Sequence, residues 1–305
     1  MDELETDPAS GGRLVDVTSF LLVQRPWLSA RSLANIISAI RTYISVTYGY
    51  VLTRSPLLSK FLQRYASYPH ERRYRQPVSK ELVWAVAGDD SIDFAVRTAV
   101  IVAFNGLLRV SEYTAASPSS CDPVFTLLRR HVRVLLPAPA TPGAAPCPAV
   151  AVRIVRSKSD RTNTGQDVFF ESASNPSTCA ATWLRAYLSA TAASPAHGVD
   201  APLFIKSNGR FVTAADISAA LKLHACACGL DVHRISSHSL RIGGIYYLFS
   251  MGVPEIVVSA RARWAPSSCQ AMSLLYARMC DKRLRLVAEA LASTDGDPVI
   301  LRASS

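Results

Sequence analysis

Lysine is scarce in this chain of 305 residues: only six of its 33 basic side chains are lysine, and the other 27 are arginine. Acidic residues are also few, 23 in all, which leaves a formal net charge of +10. A GC-rich genome accounts for part of the arginine bias. The planar guanidinium fork also suits phosphate oxygens, so the excess points to a polyanionic partner. Only 18% of residues are charged and 49% are hydrophobic, a balance that excludes a disordered chain. No long charge-free apolar run exists. The most apolar stretch, Ile92 to Val110, is interrupted by Asp93, Arg97, Asn105 and Arg109 and predicts a buried helix, so no membrane partner is expected. The opening Met1-Asp-Glu-Leu-Glu-Thr-Asp lacks the apolar core of a secretory leader. Seven cysteines (121, 147, 179, 226, 228, 269 and 280) are an odd, scattered set in a chain large enough to need no staples, which predicts reduced thiols in an intracellular protein.

The length suits a small N-terminal domain followed by a larger one. Residues 1–14 read as a flexible tail. Over 15–67 the apolar spacing is helical: Ser29 is a cap candidate, Leu33, Ile36, Ile37, Ile40 and Ile44 form one stripe, and a second helix is expected from Pro56 to Tyr68. Residues 68–78, polar and bounded by prolines, read as a linker. Charge concentrates between Arg54 and Lys80, around and within this linker: Arg54, Lys60, Arg64, Arg72, Arg73, Arg75 and Lys80 face a single acid, Glu71. A solvated linker tolerates such a run, whereas a linker crossing a DNA backbone needs it for counterion release. From Ser79 to 305 a larger domain is expected, helical through Ala116. Strand-like segments follow at Thr126 to Leu136, Val150 to Arg156 and Asp167 to Phe170, with a five-proline loop between the first two. Beyond Thr178 helices return, over about 178–191, 213–229, 237–250, 253–260, 267–280 and 281–293. The fold class is therefore mainly α with a small three-stranded antiparallel sheet.

His224-Ala-Cys-Ala-Cys imitates a metal motif. Alternate helix positions point about 200° apart, however, so Cys226 and Cys228 cannot share an ion, and no metal site is assigned. Other residues carry more. Arg109 ends a hydrophobic helix, and Glu112, three residues on, is placed to hold its guanidinium. Lys158 sits at the tip of the hairpin joining the second and third strands. In Ser236-Ser-His-Ser-Leu-Arg-Ile-Gly-Gly, His238 and Arg241 share a helix face. Downstream come Arg261-Ala-Arg-Trp264 and a helix carrying Tyr276.

Arg109, Lys158, His238-x-x-Arg241, Trp264 and Tyr276, in that order, resemble the catalytic set of the tyrosine recombinases, the phage-integrase family. The resemblance spans nearly the whole chain. The wording Ser-His-Ser-Leu-Arg-Ile-Gly-Gly, Ser-Lys-Ser-Asp and Arg-Trp is closest to the recombinases of DIRS-type and Crypton-type mobile elements. It implies a two-domain clamp on duplex DNA, with residues 15–67 as a helical core-binding domain and 79–305 as an α+β catalytic domain. It also implies a homotetramer on two duplexes, with a monomer or dimer off DNA, and a nuclear location in a eukaryotic host.

The chemistry fits these residue types. Arg109 and Arg241 suit a bidentate clamp on the non-bridging oxygens of a phosphodiester, taking the part a metal plays elsewhere; no cofactor is required. Tyr276 is the candidate nucleophile and His238 the candidate proton carrier beside it. The resemblance gives Lys158 the role of protonating the departing 5′-oxygen. Trp264 suits a hydrogen bond to phosphate through its indole N–H, and equally a place in the core. Arg263 is either a support or the phosphate-contacting member of the Arg-Trp pair. Lys158 alone reads as an ordinary turn lysine, and Tyr276 alone as a buried helix tyrosine. The spacing of 12 between Trp264 and Tyr276 exceeds that of relatives by a few residues. Two rival functions share these features: a type IB topoisomerase that relaxes DNA, and a non-catalytic DNA-binding protein descended from a mobile element.

Overall fold

The structure, a computed structural model, describes residues 30–49, 56–67, 75–135, 149–157, 164–171 and 179–265, with single positions at 160, 177, 269 and 272. The chain divides into two compact units, Met1–Arg73 and Tyr74–Ser305. In the first, α1 (Ala30–Tyr48) packs on α2 (Pro56–Ser67). Of the predicted stripe, Leu33 and Ile37 are buried, against Phe61, Leu62 and Tyr65, while Ile36, Ile40 and Ile44 are half-exposed. Among the described residues two helices make one seam, so the rest of the stripe finds no second neighbour. Ser29, the expected cap, lies outside the described residues.

The second unit opens with α3 (Lys80–Gly88), whose N-cap Ser79 accepts the Leu82 N–H at 3.3 Å. Such a cap contributes about 1 kcal/mol. The next helix, α4 (Phe94–Gly106), is capped by Asp93, which accepts the Ala95 N–H at 2.9 Å. Its sequence is apolar nearly all round because it is buried nearly all round: α3, α6 (Ala180–Ala190), α7 (Ala214–Ala225), α8 (Ser237–Ser250) and the sheet all lie against it. Its one charged interior residue, Arg97, reaches out to Asp90 at 2.5 Å.

Helical patterning was expected to continue to Ala116. The helix instead stops at Gly106, because Leu107 turns left-handed (φ +49°) and caps it with its N–H. A four-residue helix, α5 (Val110–Tyr113), follows. The first expected strand also shortens, from Thr126 to Val132. Leu127 and Leu128 are buried as the pattern required, but the His131 imidazole Nδ1 accepts the Leu128 N–H at 3.1 Å and closes a 3-10 turn over Arg129–His131. The sheet then runs β1 (Val132–Leu135), β2 (Ala149–Ile154) and β3 (Gln166–Phe170) in antiparallel order 1-2-3, with Val152 opposite both Val132 and Val168. Val150, Val152, Ile154, Val168 and Phe170 face the core. A last described helix, α9 (Glu255–Ala262), packs on α8. The expected helices over 267–280, apart from single positions at 269 and 272, and over 281–293 lie outside the described residues. The architecture is mainly helical with one small three-stranded antiparallel sheet.

Candidate active site

The site begins where α4 ends. The left-handed turn at Leu107 redirects the chain, so Arg109 becomes the residue that opens α5. Glu112 reaches back over this turn: Oε2 accepts the Arg109 backbone N–H at 2.8 Å and Oε1 accepts Nη1 of the Arg109 guanidinium at 3.1 Å. Glu112 is thus both the cap of α5 and the holder of Arg109. Its side chain is 3% exposed, against 20% for Arg109.

Arg241 comes from α8. The pair Gly243-Gly244 lets this helix approach closely: a Cβ at Gly243 would stand 2.0 Å from the Val78 carbonyl oxygen, and one at Gly244 would stand 2.6 Å from that of Phe104. The two glycines of the sequence motif are therefore where α8 lies against the end of α4 and against the segment before α3. Val78 N–H also donates to the Ser239 carbonyl at 3.2 Å, and Gln76 N–H to that of Arg234 at 3.0 Å. Held so, the buried Arg241 donates through Nη1 to the Leu107 carbonyl and through Nη2 to the Ala262 carbonyl.

The end of α9 supplies the third side. Arg263 caps it in the left-handed conformation (φ +55°). Its carbonyl accepts Arg109 Nη2 at 3.0 Å. Its guanidinium points inward, to Glu112 Oε2 at 2.7 Å, the Leu107 carbonyl at 3.0 Å and the Gly106 carbonyl at 3.3 Å. With 3% of that side chain exposed, Arg263 is buried among these acceptors. Burial lowers its pKa, the Glu112 charge opposes that shift, and the nearby Arg109 adds to it.

His238 lies on the first turn of α8. Solvent reaches its ring, yet partial desolvation and the charges of Arg241, Arg75 and Arg109 hold its pKa below the ordinary 6.5. It is therefore a neutral imidazole at pH 7, able to accept a proton. Half-buried Trp264 packs against the cluster of Leu107, Ile242, Ile245, Phe249, Val258 and Ala262. It also borders a cavity of about 180 Å³ with Arg263, Ala265, Ser157, Asp160 and the β3 end of the hairpin. That hairpin closes at Gly165 (φ +65°), whose N–H donates to Asp160 Oδ2 at 2.8 Å. Lys158 and Tyr276 lie outside the described residues.

The basic run divides. Arg54, Arg72 and Arg73 lie outside the described residues, while Lys60 and Arg64 are exposed on α2, and Arg75 is exposed ahead of α3. Lys80 turns inward: Nζ donates to the Tyr247 hydroxyl at 3.1 Å and lies 4.7 Å from that ring and 5.1 Å from the Trp84 ring. The His224 that imitated a zinc motif pairs with Asp89 at 2.8 Å.

Sequence reasoning missed the backbone's share of the site. The Leu107, Ala262 and Arg263 carbonyls have no sequence signature, and a left-handed residue other than glycine gives none either. Arg261 opens the Arg-Ala-Arg-Trp motif, and nothing in the sequence marks its part. It donates to the Phe169 carbonyl at 2.8 Å and the Asn105 carbonyl at 3.1 Å, tying α9 to the sheet and to α4, and burial lowers its pKa to about 10.

No protein-family model and no curated protein matches the chain. Solved structures do. The XerH site-specific recombinase bound to palindromic difH substrate, a post-cleavage complex, superposes with a TM-score of 0.60 at 15% identity, over 92% of this chain and 72% of that one. The Tn1549 transposon integrase in complex with transposon right end DNA gives 0.54 at 15% identity, over 96% and 89%. The fold is that of the tyrosine recombinases. In a tyrosine-recombinase fold of this chain, α4, α8 and α9 converge on a shared set of carbonyls, and the arginines singled out by the sequence hang on them.

Proposed function

We propose that this chain is a site-specific DNA recombinase or integrase that cuts and rejoins duplex DNA through a covalent 3′-phosphotyrosyl intermediate, without metal or ATP. One observation carries the reading: the Arg109 and Arg241 guanidiniums are anchored on consecutive carbonyls, those of Arg263 and Ala262. Two cations from separate helices, fixed side by side before substrate arrives, make a preorganised site for the two non-bridging oxygens of one phosphodiester.

The proposed step is an in-line substitution. The Tyr276 oxygen bonds to phosphorus, the bond from phosphorus to the 5′-oxygen breaks, and the bond energy stays in the phosphotyrosyl link. His238, neutral at pH 7, takes the phenol proton, and Lys158 donates one to the departing 5′-oxygen. In the rejoining step a 5′-hydroxyl attacks phosphorus and gives its proton to Lys158, the bond from phosphorus to the Tyr276 oxygen breaks, and His238 returns the proton to the phenolate. Arg109 and Arg241 hold the oxygens throughout, with Trp264 beside them. Tetramer assembly on two duplexes, a nuclear site of action in a eukaryotic host, and service to a mobile element of DIRS or Crypton type belong to this reading. They are supported by the order and wording of the motifs.

The test is trapping. Wild-type protein is expected to form a detergent-resistant adduct on a nicked suicide duplex carrying the parent element's terminal repeats, and Tyr276→Phe is expected to form none. An equal yield from both, or none from wild type, would remove the enzyme reading and leave a DNA-binding protein. Relaxation of supercoiled DNA without exchange of partners would favour the topoisomerase.

A further inference from the structure

The geometry points to Arg263 as a positioning residue whose charge cancels that of Glu112, leaving the field of the Arg109–Arg241 pair available to a phosphate. This rests on the recombinase reading above. Glu112 is a carboxylate 3% exposed, and an isolated charge at that depth is strongly unfavourable. Were Arg109 its only cation, the pair would be neutral, and an incoming phosphate would meet a carboxylate behind its clamp. Arg263 changes the balance: it sits on Glu112 Oε2 at 2.7 Å, closer than Arg109 Nη1 on Oε1 at 3.1 Å, and is as buried as Glu112 itself. Two guanidiniums on the carboxylate, with Arg241 joined to Arg263 through the Leu107 carbonyl, leave the cluster at +2.

The backbone supports the same assignment. Arg263 is held at φ +55°, a conformation that glycine adopts without penalty and side chains rarely adopt. A helix end of this kind needs no arginine, so the side chain is explained by what it reaches. It reaches Glu112 and the Leu107 carbonyl, the same oxygen that anchors Arg241. One residue thus ties the support of Arg109 to the support of Arg241.

A charge-swap cycle tests this, with adduct formation on a pool of nicked duplexes of randomised sequence as the readout. Arg263→Gln is expected to lower the rate at saturating DNA by about tenfold to a hundredfold, with half-saturation changed by less than about threefold. Adding Glu112→Gln is expected to restore most of that loss, because it removes the uncompensated carboxylate. Losses that add in the double variant would mean a packing role only and overturn the assignment. Arg263→Lys, which keeps the charge, carries the test if Arg263→Gln does not fold: a rate within about fivefold of wild type supports it, and a fall to background overturns it. Absence of any adduct from wild type would count against the recombinase reading, not against this charge assignment.

Discussion

At the scale of single residues, the site consists of side chains whose freedom has been removed. Arg109 is held at both terminal nitrogens, by Glu112 at 3.1 Å and the Arg263 carbonyl at 3.0 Å, and Arg241 by two further carbonyls. A lysine carries the charge but not the planar fork, so it cannot satisfy an anchor and a phosphate together. Arg109→Lys is therefore expected to lower adduct formation about a hundredfold while the melting temperature moves little, as read by trapping and thermal denaturation. Arg241→Lys, at a fully buried position, is expected to lose both. His238 offers a pH test. Desolvation and the surrounding guanidiniums depress its folded pKa below 6.5, so its neutral form persists on the acidic side of that value. The acidic limb of the rate profile should fall below pH 6.5, and Arg75→Gln should move it upward by removing one of the three neighbouring charges. A limb unmoved by Arg75→Gln would refute that electrostatic account.

At the scale of elements, α8 shows how a motif becomes a contact. Gly243 is needed because the Val78 main chain occupies the space a side chain would take, and Gly244 because Phe104 does. Gly243→Ala is expected to destabilise the second unit by about 3 kcal/mol or more, read as a drop in denaturant midpoint, because main chain cannot move aside as a flexible side chain does. A loss below about 0.5 kcal/mol would show that α8 can shift away. The run that became α4 was legible in the sequence because its apolar composition reported burial, and Arg241 because its spacing put it on one helix face with His238; the two glycines, silent by themselves, acquire their reason only from the main chain packed on them. The break at Leu107 was not legible: a buried leucine fits a continuing helix as well as a left-handed cap, and its backbone angle is set by what packs around it. The shortening of β1 was hidden for a related reason. Leu127 and Leu128 satisfy a strand pattern, while the turn that ends it depends on the His131 ring reaching the Leu128 N–H. The inward turn of Lys80 onto Tyr247 was likewise invisible, since their pairing spans 167 positions.

At the scale of the molecule, charge and titration set the expected behaviour. With +10 overall, affinity for duplex DNA should fall steeply with salt, and the slope of log K against log salt should lessen by about 1 for each phosphate-contacting arginine removed. Lys60→Gln, on an exposed face, should reduce the slope; Lys80→Gln, sequestered between two rings, should not. Filter binding between 50 and 200 mM salt, roughly the range over which such contacts are screened, checks both. Stability should also depend on pH. Burial lowers the folded pKa of His131 and of His197 from 6.5, so each binds its proton more readily when unfolded. Their contribution is complete above pH 6.5 and is lost as pH falls through the lowered folded values. The melting temperature should therefore decline on acidification from pH 7 to 5, and less steeply in the His131→Gln, His197→Gln double variant.

The anchors of the arginine pair are peptide oxygens, which any of the twenty amino acids supplies. Letters at 107 and 262 can be rewritten over generations, within the limits of volume, without erasing the grip. What must be inherited there is a bend in the chain. A sequence identical to the XerH recombinase at about one position in seven, 15% in the superposition, can therefore still take up the same fold.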